Sequence, residues 1–176
     1  MALTPTRNTA SRSSWKSPDP WRALLPAVWA GGLLTVAAIA TPAPFATLPV
    51  ADAGRVVARI LAQEAHTSLV LGVALLLLER WGAKRRAVEG GGSQFSAGML
   101  MALSAIFCTV LGYFAVQPLM PAARVGQGML SFAQLHAASA LCYGLKTLLV
   151  LALAWRNAGL AARAASPAAD VSSASS

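Results

Sequence analysis

Two charged residues lie inside stretches that are otherwise too apolar to hold charge. Lys146 falls in LHAASALCYGLKTLLVLALAW, nine residues before Trp155, and Glu64 falls in an earlier apolar run. If the run is a helix rising ~1.5 Å per residue, Lys146 lies near the middle of a hydrocarbon core. A charge there costs roughly 2.5–3.5 kcal/mol on insertion scales, so it faces the protein interior and takes a partner. Glu64 is the acid expected within reach. The chemistry open to such a pair is binding of a substrate, an ion or a proton; the alternative is a purely structural ion pair. His136, Ser139, Tyr143, Lys146 and Thr147 share about a third of a helix circumference at ~100° per residue. Glu64, Thr67 and Ser68, three and four apart, share a face of their own. The candidate binding set is therefore Glu64, His136, Ser139, Tyr143 and Lys146.

Other chemistries find little support. His66 is two residues from Glu64 and points to nearly the opposite face, so it reads as interfacial or packed against a neighbour. A two-histidine haem or metal site from His66 and His136 is disfavoured by their faces and depths. Cys108 and Cys142 sit in apolar stretches and read as small packing residues, not as a disulfide framework or a zinc site. The run from Glu89 to Ser93, EGGGS, lacks the Lys-Ser/Thr of a phosphate-binding loop. No Ser–His–Asp or Cys–His set can be assembled. The expectation is a protein that is not an enzyme and has no catalytic residue, resident metal or cofactor.

The elements that must position these residues are set by composition. The 176 residues are 56% hydrophobic and 11% charged, against roughly 25% charged in soluble domains. Four apolar stretches, at about 23–43, 56–80, 97–116 and 135–155, are each long enough to cross a ~30 Å core. Without period-2 alternation they read as helices. The expected fold is all-α: a polytopic membrane protein with a four-transmembrane-helix bundle. Pro26 is expected in the first turn of helix one, Asp52 as the N-cap of helix two, and Pro118 and Pro121 at the close of helix three. Residues 1–20 and 157–176 read as disordered tails.

Net charge is +8, with no aromatic-interleaved basic stretch of the kind that binds nucleic acid. The basic residues flank the apolar runs instead. Ten of them (Arg7, Arg12, Lys16, Arg22, Arg80, Lys84, Arg85, Arg86, Arg156, Arg163) fall on one side, and Arg55, Arg59 and Arg124 on the other. The positive-inside rule then makes both termini cytoplasmic, in a multi-pass protein of the cell inner membrane. Trp21, Trp81 and Trp155 form an aromatic belt on that side. Ala38-Ile39-Ala40 resembles a signal-peptide cleavage site, but the apolar run is long for one. Ala27, Gly31 and Thr35 also give that segment a small-residue face, so it is expected to stay. Met101, Ser104, Cys108 and Gly112 on helix three, and Ala140 and Gly144 on helix four, are further packing faces. The expected partners are the lipid bilayer and either further copies of the chain or other membrane proteins, with no nucleic acid.

The segments TPAPFATLP, AGRVVARILAQE, YFAVQPLMPAAR and FAQLHAASAL occur in that order. With Pro44-Phe45, Pro118-Leu119-Met120, Arg124, Phe132 and His136 as their most distinctive residues, they resemble the transmembrane protein 205-like family, otherwise domain of unknown function 4149, over residues 23–156. The resemblance implies four membrane helices, a bacterial member and no settled activity. The functional expectation is an integral membrane protein with a binding or accessory role. The alternatives are a small-solute, metal or proton permease subunit using Glu64 and Lys146, and a haem- or metal-binding redox protein.

Overall fold

A computed structural model describes residues 20–88 and 95–165. Most of the two expected tails and the glycine-rich stretch at 89–93 lie outside the described residues. Helix α1 (Pro20–Thr35) runs into a π-helical segment, π1 (Val36–Ala40), and is followed by the short α2 (Ala43–Thr47). Then come α3 (Val50–Val88), α4 (Ala97–Thr109), a second π segment, π2 (Val110–Ala115), a 3-10 turn (Gln117–Leu119), α5 (Met120–Arg124) and α6 (Phe132–Ala165). Four of the resulting rods are long and apolar enough to cross a membrane. The described residues contain no strand, and the molecule is an all-α, multi-pass membrane bundle.

Several helix boundaries differ from those expected, each for a local reason. α1 begins at Pro20, so Pro26 lies inside the helix rather than in its first turn. α3 begins at Val50, which moves Asp52 from the N-cap into the first turn, where it pairs with Arg55. α6 starts at Phe132 because Ser131 and Gln134 form a capping box. The Gln134 backbone N–H donates to Ser131 Oγ at 3.3 Å, and Ser131 N donates back to Gln134 Oε1 at 2.9 Å. At its far end α6 runs to Ala165, so residues 157–165, expected to be a tail, are helical. Pro118 sits in the 3-10 turn and Pro121 in the first turn of α5, just past the helix they were expected to close. Gly126, at φ +73°, turns the chain after α5.

Neighbouring rods contact around a ring: α1 touches α3 and α6, and α4 touches α3 and α6. α3 and α6 face each other across the diagonal, with no backbone approach within 8 Å among the described residues. Each rod turns inward a line of residues spaced four, three and four apart. These are Ser68, Gly72, Leu75 and Glu79 on α3, Gly98, Ala102, Ala105 and Thr109 on α4, and Lys146, Val150, Leu153 and Asn157 on α6. α1 contributes Pro26, Trp29 and Leu33. This is the spacing that keeps a helical seam facing its neighbours. The middle of the bundle is an apolar layer of Trp29, Ala30, Leu33, Leu75, Ala102, Ala105, Val150 and Leu153. Outward, Leu24, Val28, Val70, Leu103, Phe107, Leu145 and Leu148 are exposed, as lipid-facing side chains are.

Small residues set the approach of α4 to its neighbours. A Cβ on Gly72 would lie 2.7 Å from Ile106 Cγ1, and one on Gly112 would lie 2.7 Å from Cys142 Cβ. The Met101, Ser104, Cys108 and Gly112 face is thus turned into the bundle. Two other expected packing faces are not. Ala27, Gly31 and Thr35 are exposed, as are Ala140 and Gly144, and neither Gly31 nor Gly144 has a neighbour within 4 Å of a built Cβ. Ala27 follows Pro26 by one residue and Gly144 precedes Lys146 by two, about 100° and 160° round their helices from the inward lines.

Candidate functional site

At the end of the bundle that carries the two interhelix loops, Lys146 reaches across the diagonal from α6 to α3. Its Nζ donates to Glu64 Oε1 at 2.8 Å and Oε2 at 3.0 Å, and lies 3.5 Å from Ser68 Oγ. The side chains are 3% and 10% exposed, so the charges are screened by each other and not by solvent. Ser68 donates to Glu64 and accepts from Trp29 Nε1 at 2.9 Å. The Tyr143 ring lies 4.6 Å from the ammonium, close enough for its π face to add attraction. The ammonium therefore has its donors taken up, and the pair joins α1, α3 and α6.

The two π segments hold this region in place. Each widens a turn by one residue, seen in the Thr41 N–Val36 O bond at 2.9 Å and the Val116 N–Leu111 O bond at 3.1 Å. Tyr143 Oη donates to Leu33 O at 2.8 Å, close to where α1 becomes π1. Ser139 Oγ donates to Gly112 O at 3.2 Å within π2. Polar side chains of α6 thus bond to the backbone where the regular ladder changes. A cleft of about 30 Å³ opens beside the ion pair, with Glu64, Lys146, Tyr143, Ser139, Tyr113 and Gln117 in its wall. That is room for something the size of a water molecule.

Of the five expected binding residues, the structure brings together Glu64, Ser139, Tyr143 and Lys146. His136 is elsewhere: it is exposed near the start of α6 and stacks on Phe132 at 5.9 Å, with Arg124 over the same ring at 4.8 Å. Thr147 and Thr67 turn their hydroxyls to their own helices, onto Tyr143 O and Gln63 O. His66 packs edge-on against Phe114 at 5.5 Å and Tyr113 at 6.3 Å, so the two histidines belong to separate aromatic groups. Among the described residues, no three His, Cys, Asp or Glu side chains are grouped as metal ligands would be. Tyr113 and Gln117, which line the cleft, were not foreseen, because the extra residue of π2 changes which side chains turn inward.

A second polar cluster, also unforeseen, lies at the opposite end of the bundle, where α1 begins. Glu79 of α3 is fully buried. Arg22 of α1 donates to its Oε2 at 2.7 Å, Asn157 of α6 to its Oε1 at 3.0 Å, and Ser96, the N-cap of α4, stands 3.5 Å away. Arg156 Nη1 lies 3.9 Å from Oε2. Asn157 Nδ2 also donates to Arg22 O at 2.6 Å. Pro26, four residues on, has no N–H to give that carbonyl, so Asn157 takes the place of the missing helical bond. A Cβ on Gly98 would overlap the Glu79 carboxylate and lie 2.5 Å from Arg156 Nη1, so only glycine leaves room for the cluster. Read in isolation, Arg22 and Arg156 look like interface cations and Glu79 like a helix end. The signal lay in the four-three-four lines, which carry Ser68 to Glu79 and Lys146 to Asn157.

No curated protein and no solved structure matches the chain. A family model matches residues 24–128, more than half of the chain. The match takes in Glu64, Ser68 and Glu79 and stops before α6, which carries Lys146, Arg156 and Asn157. On that match the chain belongs to the family described as domain of unknown function (DUF4149).

Proposed function

We propose that the protein is a non-catalytic binding component of the membrane, taking a small polar solute at the Glu64–Lys146 pair from the loop side. The observation that carries this reading is the cleft beside that pair, lined by Tyr113, Gln117, Ser139 and Tyr143 together with Leu61 and Cys108. Because the cleft is only water-sized, a larger solute must part the two charges. A solute bearing both a cationic and an anionic group leaves neither stranded, and this makes small zwitterions the favoured class. The apolar layer below the pair closes the cleft toward the termini, which suits a binding or accessory role unless that layer opens. The likeness to the transmembrane protein 205-like family, a bacterial inner membrane and cytoplasmic termini complete the reading; the ten-to-three distribution of basic residues supports the orientation.

Thermal unfolding of the purified protein with glycine, acetate and methylammonium tests the site. Glycine is expected to raise the midpoint for the wild type and not for Glu64→Gln/Lys146→Met, with acetate and methylammonium weaker. Equal responses of wild type and double variant would remove the site. Reporter fusions at Ser176 and near Ala51 and Gly126 test the orientation: cytoplasmic activity at Ser176 is expected, and external activity there reverses the topology.

A further inference from the structure

The cluster around Glu79 contains one carboxylate and two guanidiniums. Arg22 takes the close position at 2.7 Å and leaves Arg156 at 3.9 Å, beyond hydrogen-bond reach. Arg22 Nε, Arg156 Nη1 and the amide oxygen Asn157 Oδ1 are buried without a hydrogen-bond partner, two donors against one acceptor. The cluster is thus short of acceptors and of negative charge, at a depth where an unbalanced charge is costly. Nε and Nη1 are themselves covered, but the Arg22 and Arg156 side chains remain 17% and 30% exposed, so a ligand can approach the two guanidinium groups from outside the bundle. Three exposed tryptophans, Trp21, Trp81 and Trp155, adjoin it in sequence. Such residues settle at the headgroup level of a bilayer.

We propose that Arg22 and Arg156 bind the phosphate of an anionic phospholipid, whose oxygens supply the negative charge that Glu79 alone does not. Guanidiniums suit this task because their planar donor fork matches a phosphate edge. The lipid is favoured over a free oxyanion because the site opens among side chains that sit at headgroup depth. The competing basic surface is the groove of about 380 Å³ lined by Trp81, Lys84, Arg85 and Val88, where the cations are exposed and carry no comparable shortage of acceptors.

The test uses the full chain in detergent micelles doped with phosphatidylglycerol, with phosphatidylcholine, or with inorganic phosphate at matched concentration. Phosphatidylglycerol is expected to raise the unfolding midpoint by several degrees, with the other two close to the undoped sample. Arg156→Gln should lose most of that rise, while Lys84→Gln/Arg85→Gln should keep most of it. Native mass spectrometry of the wild type supplies a reading that does not depend on a variant folding: phosphatidylglycerol should stay bound through delipidation that strips phosphatidylcholine. Equal shifts from both lipids, a full response in Arg156→Gln, or a response lost only in the Lys84/Arg85 variant would overturn the assignment. A phosphate response equal to that of phosphatidylglycerol would overturn the lipid as the source.

Discussion

Both ends of the bundle bury a carboxylate of α3 opposite a cation of α6, about 22 Å apart along the helix at ~1.5 Å per residue, yet they solve the problem differently. At the loop end, Glu64 and Lys146 form a one-to-one pair whose remaining contacts are neutral groups. At the termini end, Glu79 is shared among Arg22, Arg156, Asn157 and Ser96, and donors are left over. The first is balanced and beside a cleft; the second is unbalanced and joins α1, α3, α4 and α6. A one-to-one pair can be removed without stranding a charge, whereas a shared carboxylate cannot. The difference leaves the first cluster as a pair whose charges cancel beside a cleft, and makes the second the junction of four helices.

The largest expected effect is therefore at Glu79. Glu79→Gln leaves two guanidiniums without a counter-charge, and loss of a buried partner of this kind costs about 3–5 kcal/mol. Unfolding in detergent should show it, and Arg22→Gln in the same chain should restore only part, since Arg156 stays uncompensated. Lys146→Met is expected to cost somewhat less, because Glu64 borders the cleft and keeps the hydrogen bond from Ser68. Adding Glu64→Gln should return most of the stability, as removal of both members of a buried pair is often close to neutral. If the Glu79 and Arg22 changes rescue each other as fully as the Glu64 and Lys146 changes, the two clusters are energetically alike and the contrast is lost.

The four rods could be read from composition and run length because lipid imposes the same apolar requirement on every span. Lys146 and Glu64 were legible for the same reason: each is a charge inside such a run. The Glu79 cluster was not, because at a span's edge a cation meeting lipid headgroups and a cation meeting a buried acid look alike in sequence. Asn157 reads as part of a tail because the apolar run ends at Trp155, although the inward line on α6 continues through it. The π segments left no sequence signal we could read, and with them went the inward placing of Tyr113. Small-residue spacing misled on α1 and α6, where glycine and alanine meet the exterior.

Glycine substitutions compare the two ends by size alone. Gly112→Ala puts a methyl 2.7 Å from Cys142 Cβ, an atom fixed to the α6 backbone, so α6 must shift. Gly98→Ala pushes into Glu79 and Arg156, and Glu79 is already held by Arg22 and Asn157. Overpacking of this kind costs about 1–3 kcal/mol. Gly112→Ala should also weaken the proposed solute binding at the Glu64–Lys146 cleft, and Gly98→Ala should leave it unchanged. A loss of solute binding in both would mean that the ends are mechanically coupled.

The smallest effect isolates one hydrogen bond. Arg22 O is free of its helical partner because residue 26 is proline, and Asn157 Nδ2 fills the vacancy at 2.6 Å. Asn157→Ala removes that bond and the one to Glu79, for a cost of about 1–3 kcal/mol as buried acceptors lose a donor. Pro26→Ala restores an N–H that can bond to Arg22 O along the helix. In the wild-type background this gains little, since the carbonyl already has a donor. In the Asn157→Ala background it should recover about 1 kcal/mol, the net worth of one such bond. The full loss should not return, because Glu79 Oε1 still lacks the Asn157 amide. Thermal unfolding of the wild type, the two single variants and the double variant measures the coupling directly. Effects that simply add would show that Asn157 does not stand in for the N–H that proline removes, and that its role is confined to Glu79.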